Sequence, residues 1–153
     1  MKRILVIVFL FLCIWAEPAL SQDETIGVVK TKSGEAFVLR EGAKQTLQIG
    51  DRLRERDTLE TGKEATLGVI LRDDTVISLG PESRISIDSF IFDPAEGRLG
   101  IATSMTRGTV AYLAGKIVKL APESARFETP LATLGIRGTW FVARIQDLSL
   151  IHI

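Results

Sequence analysis

Cysteine and histidine are nearly missing. The 153 residues hold one of each, Cys13 and His152. Cys13 lies inside an apolar leader and follows Leu12. A lipidated cysteine needs a small residue before it and a place at the end of such a run, so Cys13 is expected to leave with the leader. His152 falls in a C-terminal stretch of foreign character. Without these two, the mature chain has no disulfide, no serine or cysteine nucleophile paired with an imidazole and no zinc site. An exported domain of this kind must be held by its core alone, and about 120 residues bury enough apolar surface for that.

A charge excess is missing too. Removing Lys2, Arg3 and Glu17 with the leader leaves 17 basic and 18 acidic residues. This balance excludes broad nucleic-acid binding and gives no long-range steering toward a charged partner. No glycine-rich loop that could cradle a phosphate precedes a helix, and no cofactor is expected. Paired carboxylates of the glycoside-hydrolase type are invisible to sequence spacing and stay open as the one enzymatic alternative.

Long hydrophobic runs are also absent. The longest, residues 4–16, has 13 members, short of the roughly 20 that span a bilayer. Lys2 and Arg3 precede it and Ala19-Leu20-Ser21 follows it. Residues 1–21 therefore read as a secretory signal peptide cut before Gln22, with an uncleaved anchor as the alternative. The mature chain is expected to lack a transmembrane segment and to be periplasmic or secreted, in a bacterium. At the other end, Leu148-Ser149-Leu150-Ile151-His152-Ile153 is the translation of a common transposon-end sequencing adapter. Residues 148–153 are expected to be such an artefact, a genuine apolar tail being the alternative. One domain, residues 22–147, is left between.

Within it, no apolar stripe of helical period runs for 11 residues or more. Turn signals recur every 8 to 12 residues, and the 13 glycines fit that spacing. Residues 25–31, 35–40, 45–49, 64–71, 76–79, 84–91, 98–104, 108–113 and 116–120 read as strands. The fold expected is all-β: a twisted β-sandwich or a β-roll/solenoid-like domain of short antiparallel strands. Lys30, Lys32 and Lys44 sit where an open edge would need charge. Arg52, Arg54 and Arg56 share a face if extended and could hold a phosphate or a carboxylated glycan. Asp51, Glu55 and Asp57 neutralise the segment, so a solvated face is the plainer reading. Asp73-Asp74 suggests calcium, but no further ligands follow at regular spacing and a plain turn is preferred. Because aspartate tolerates left-handed geometry less well than glycine, that turn should be strained or of another type.

The organising stretch is residues 127–142. Pro130, which cannot donate a backbone hydrogen bond, ends one strand. Gly135 and Gly138 bracket Ile136-Arg137, as in a backbone that turns twice. From Thr139 the pattern alternates, with Phe141, Ala143 and Ile145 on one face and Trp140, Val142 and Arg144 on the other. Trp140 either faces outward beside Arg137 as an interface anchor or sugar-stacking platform, or fills the gap between two sheets. Arg137 either contacts a ligand or braces the corner by hydrogen bonds to carbonyls.

Thr129-Pro130, the apolar Leu131-Ala132-Thr133-Leu134, and Gly135-Ile136-Arg137-Gly138-Thr139-Trp140-Phe141-Val142 together resemble the closing motif of FecR-like periplasmic domains. Ile26-Gly27-Val28-Val29, Gly50-Asp51-Arg52-Leu53, Asp57-Thr58-Leu59-Glu60-Thr61-Gly62 and the hairpin around Asp73-Asp74 are similar to earlier pieces in order, over residues 25–146. Two positions depart: Asp73-Asp74 stands where the family has Asp-Gly, and Trp140 where it has a polar residue. The resemblance implies a twisted, partly solenoid-like β domain, with Thr129, Pro130, Gly135, Gly138, Thr139 and Phe141 as its structural motif. It also implies a non-enzymatic envelope module for protein interaction or signalling. FecR-like transducers join such a domain to a membrane helix and a cytoplasmic part, and neither is expected from the residues of this sequence. A free domain recognising an unidentified envelope protein is the version that fits. The alternative is a carbohydrate or peptidoglycan binder using Trp140.

Overall fold

The computed structural model describes residues 24–146; residues 1–21, read as a signal peptide, and residues 148–153, read as adapter-derived, lie outside them. The described chain is a 12-stranded sheet, mostly antiparallel, curled on itself. Its order is β3 (Ala43–Thr46), β2 (Ala36–Arg40), β5 (Thr58–Thr61), β8 (Arg84–Asp93), β9 (Arg98–Leu113), β7 (Val76–Leu79), β6 (Thr66–Leu71), β1 (Thr25–Ser33), β4 (Arg52–Arg54). The expected all-β class is observed.

β9 makes the curl. The sequence suggests two strands, residues 98–104 and 108–113, but one strand of 16 residues runs through both. Its first half pairs with β8 and its second half with β7, so it belongs to both layers. Inward residues are Ile101, Thr103 and Met105 before the corner, then Val110 and Tyr112 after it. A period-2 strand changes inward phase only through an inserted residue. That insertion is visible: Arg84 pairs with Arg107 while Ile85 pairs with Met105. Gly108 follows with φ +87, and a Cβ there would sit 2.7 Å from Ser83 Cβ and closer still to Ser83 Cα. Ser83 fixes the corner. Its Oγ donates to the Thr109 carbonyl at 2.9 Å and accepts from the Thr109 N–H at 2.9 Å.

One contiguous core, including Ile26, Val38, Leu59, Leu67, Ile77, Ile85 and Tyr112, joins the layers. The two ends of the curl, β3 and β4, do not pair, and residues 47–51 cross from one layer to the other between them, at one mouth of the curl, beside a pocket lined by Val38, Arg40, Gln45, Thr46, Arg52 and Arg54. Leu47 is buried, its N–H donates to the Ala36 carbonyl, and the Gly50 N–H donates to Val29.

Residues 116–120, expected as a strand, form a short helix, α1 (Lys116–Leu120), burying Ile117 and Val118. Five residues are too few to show a helical period, and the cap comes from far along the chain. Asp73, fully buried, accepts from the N–H of Ile117 at 3.2 Å, the N–H of Thr75 at 3.1 Å and the hydroxyl of Thr75 at 2.8 Å. Its carbonyl accepts from the Lys116 N–H at 2.6 Å. Gly115 lets the chain come this close, since a Cβ there would lie 2.7 Å from Asp73 Oδ2. Asp74 takes the left-handed position with φ +67 and pairs with Lys116 at 2.8 Å. The aspartate pair is thus a turn and a helix cap.

Other details differ from expectation. The third strand is Ala43–Thr46, ahead of residues 45–49. Lys44 is on edge strand β3, and Lys30 and Lys32 lie on the part of β1 beyond Val28, where β4 no longer pairs with it and only β6 does. Arg52, Arg54 and Arg56 do not share an extended face: the strand stops at Arg54 and Arg56 has φ +67. The turn is held by buried Asp57, which accepts from the Arg54 N–H at 2.8 Å and from Arg40 at 2.8 and 2.6 Å.

Candidate functional site

On the side of β9 opposite β7 and β8 lies the stretch that the sequence singles out. β10 (Ala125–Glu128) runs parallel to the first half of β9. β11 (Thr133–Gly135) folds back on β10, and β12 (Trp140–Ile145) pairs antiparallel with the second half of β9. Pro130 stands in the turn after β10, where no ladder hydrogen bond is asked of it. Thr129 staples that turn, its hydroxyl donating to the Ala132 carbonyl at 3.0 Å and accepting from the Ala132 N–H at 3.1 Å. Buried Ile136 pins the connection between the layers, and the Thr139 carbonyl accepts from the Ala114 N–H at 2.8 Å. Gly135 and Gly138 are not in the left-handed region, and a Cβ at either would meet open space. The double turn therefore does not depend on glycine at these positions for the reason the spacing suggests.

The alternation of β12 is the decisive local feature. Phe141, Ala143 and Ile145 pack against the core. The Phe141 ring stacks on Tyr112 at 5.1 Å and meets Phe127 edge-on at 5.1 Å, so three rings tie β9, β10 and β12 together. Burial pushes the Tyr112 phenol pKa up, and the nearby Asp73 carboxylate adds to the effect; this hydroxyl stays protonated. Trp140 is 69% exposed and Val142 55%. Of the two readings of Trp140, the outward one holds, because Phe141 occupies the interior. Arg137 makes no hydrogen bond or ion pair among the described residues, so the bracing role is not observed. Arg144 donates from Nε to the Thr109 hydroxyl at 3.1 Å.

Between the β10–β11 hairpin and β12 lies a groove of about 700 Å³, lined by residues 129–131, 134–138 and 140–146. It is the second mouth of the curl. Among the described residues, no segment crosses it as residues 47–51 cross the first. Eight large hydrophobic side chains are exposed in the described chain, and four of them, Leu131, Leu134, Trp140 and Val142, line this groove. Leu113, also exposed, pairs with Trp140 across the strands. Isolated exposed leucines mean little, but such clustering makes this groove the candidate binding surface. The lining holds two arginines, Arg137 and Arg144, and no acid. Trp140 and Arg137, singled out in the sequence, both line this groove. Sequence reasoning missed the contributions of Leu131, Leu134 and Val142, which are ordinary apolar residues until the fold turns them to one opening.

No group of three or more histidine, cysteine or carboxylate side chains that could hold a metal ion occurs among the described residues. No described helix is long and apolar enough to cross a membrane. The arrangement offers apolar contact, aromatic stacking and two cationic donors.

Fold and site thus define, among the described residues, a curled, mostly antiparallel β domain with residues 47–51 crossing one mouth and an apolar groove at the other. The chain belongs to the family described as FecR protein, whose model matches residues 57–150, from β5 past β12. Strands β1 to β4, which complete the curl, lie outside that span. Neither a curated protein nor a solved structure matches the chain. FecR domains are signalling-related and typically periplasmic in bacteria.

Proposed function

We propose that this chain is a non-enzymatic, exported envelope module that recognises another protein through the groove around Trp140. The observation that carries the proposal is the concentration of exposed apolar side chains along the groove between the β10–β11 hairpin and β12, which no described segment crosses. Buried aromatic anchors dominate protein–protein binding energy, and Trp140 is free to become one because the fold does not use it. Membership of a signalling-related family supports a protein partner, as does the absence of catalytic spacing in the sequence.

A glycan reading also has one observation in its favour, the same exposed tryptophan beside an arginine. The two separate in a parallel experiment. The purified chain and its Trp140→Ala variant are presented to isolated peptidoglycan sacculi and to solubilised envelope proteins. The proposal expects no saturable sacculus binding, and one protein retained by the parent and lost in the variant. Saturable sacculus binding abolished in Trp140→Ala would replace the protein reading with the glycan one.

A further inference from the structure

We propose that the groove takes its partner as an added β-strand: an extended segment of the partner, bearing acidic residues, pairs with the free edge of β12. The inference rests on the groove being the partner site and specifies how it works.

The free edge follows from the ladder. The Ala114 N–H donates to the Thr139 carbonyl, so residues 139, 141, 143 and 145 are those whose backbone groups turn toward β9. An independent bond agrees. The Thr109 carbonyl accepts from the Gly80 N–H on the opposite side of β9, and Thr109 is the register partner of Arg144. The N–H and C=O groups of Trp140, Val142 and Arg144 therefore point away from β9. β12 has no second strand partner. This leaves three donors and three acceptors in a row, beside a groove wide enough for a chain. Natural edge strands are normally guarded by proline, an inward charge or a covering segment. β12 has none of these among the described residues. β3, at the far edge of the same curl, carries Lys44 and is all polar apart from Ala43.

The chemistry of the incoming strand follows from the lining. Strand addition gives affinity through main-chain bonds and specificity through alternate side chains. Trp140, Val142 and Arg144 share the outward face of β12, so one alternate set of the added strand meets two apolar side chains followed by a cation, while the other set faces the groove interior, with Phe141, Ala143 and Ile145 on β12 and Leu131 and Leu134 across the groove. Arg137 and Arg144, uncompensated by any acid in the described lining, select carboxylates. A basic strand would meet two like charges. A second copy of this chain would also bring β12 to β12, but it would supply no acid to this groove.

The test uses the whole chain and two pools of labelled, end-capped synthetic octapeptides. The set that would face the groove interior is randomised among Val, Ile and Leu; the outward set is apolar at its two central positions and carries Glu in one pool and Lys in the other at its two ends, within reach of Arg144. Fluorescence anisotropy is expected to show the Glu pool binding about tenfold tighter at low salt, two exposed Arg–carboxylate pairs being involved. The preference should collapse in Arg137→Gln/Arg144→Gln. Hydrogen exchange should show the amides of Trp140, Val142 and Arg144 open in the free protein and protected with the Glu pool bound. Val142→Pro removes only an outward N–H, so it should keep the parent's melting temperature and lose peptide binding. Binding that shifts Trp140 fluorescence without protecting those amides would overturn strand addition and leave the groove reading standing. Amides already protected in the free chain would mean that its own residues or a second copy fill the edge, and would overturn the proposal. No binding by either pool, with an envelope protein still lost in Trp140→Ala, would also sink strand addition alone.

Discussion

Gly108→Ala is the substitution that most directly interrogates the curl. The new Cβ faces two separate costs. An L-residue held at φ +87 is strained by about 1–2 kcal/mol. Overlap with Ser83 is the second, because the atoms met include its Cα, which no rotamer change can move. Relief requires the Pro81–Ser83 turn to withdraw from β9, which breaks the two Ser83–Thr109 hydrogen bonds, at about 1 kcal/mol each. Together these come to roughly 3–4 kcal/mol, a large share of the ~5–15 kcal/mol expected of a domain this size. The melting temperature should fall by roughly 12–15 °C. Urea unfolding followed by far-UV circular dichroism measures the free-energy loss and a thermal melt the temperature shift, with Gly135→Ala as the control because a Cβ there meets nothing. Adding Ser83→Gly should recover only part of the loss, since Ser83 Cα remains in the way. A Gly108→Ala protein within about 0.5 kcal/mol of the parent would refute the account of how one strand serves both layers.

The helix cap makes a second prediction. Asp73→Ala leaves the buried N–H groups of Thr75 and Ile117 unpaired and should cost about 3 kcal/mol, while Asp73→Asn, which keeps one acceptor oxygen, should cost about half; denaturant titration reads both. Neighbouring residues on β12 should behave oppositely. Phe141→Ala removes a half-buried ring from the three-ring cluster and should cost about 2–3 kcal/mol, whereas Trp140→Ala should stay within about 0.5 kcal/mol. A pH dependence follows from Glu60, which sits among Lys44 at 2.9 Å, Arg84 at 3.2 Å and Arg107 at 3.8 Å. Burial alone would raise its pKa, but the three cations outweigh burial and lower it. A depressed carboxylate stabilises the fold above its unfolded pKa and loses that contribution as pH falls through the folded one. The parent should therefore lose more stability than Glu60→Gln between about pH 6 and pH 3, and parallel curves would show that the cluster contributes nothing.

The strand pattern was readable because inward residues alternate, and the β12 alternation from Phe141 to Ile145 places its side chains on the faces that the pattern assigns. What stayed hidden was non-local. Helix α1 depends on Asp73, some 40 residues upstream, for its cap, and on close approach at Gly115; five residues carry no period of their own. The continuity of β9 was masked by its bulge, where the alternation breaks phase and imitates a chain break. The groove was half legible. Trp140 stood out by type and by alternation, but Leu131 and Leu134 gain meaning only when the hairpin turns them to the mouth that β12 borders. Arg137 has two readings in the sequence, ligand contact or bracing of the corner, and its side chain makes no hydrogen bond or ion pair among the described residues.

The central claim, that the groove around Trp140 receives a partner, is tested most directly by photo-crosslinking in the living envelope. A photoreactive residue replaces Trp140 in one strain and Ile49 in another. Both side chains are exposed, and Ile49 lies in the segment that crosses the opposite mouth. Folding of each variant is confirmed by circular dichroism, and adducts are read by mass spectrometry. The account predicts one dominant protein adduct from position 140 and none in common from position 49. A folded protein that gives no protein adduct at 140, or the same adducts from both positions, would contradict it.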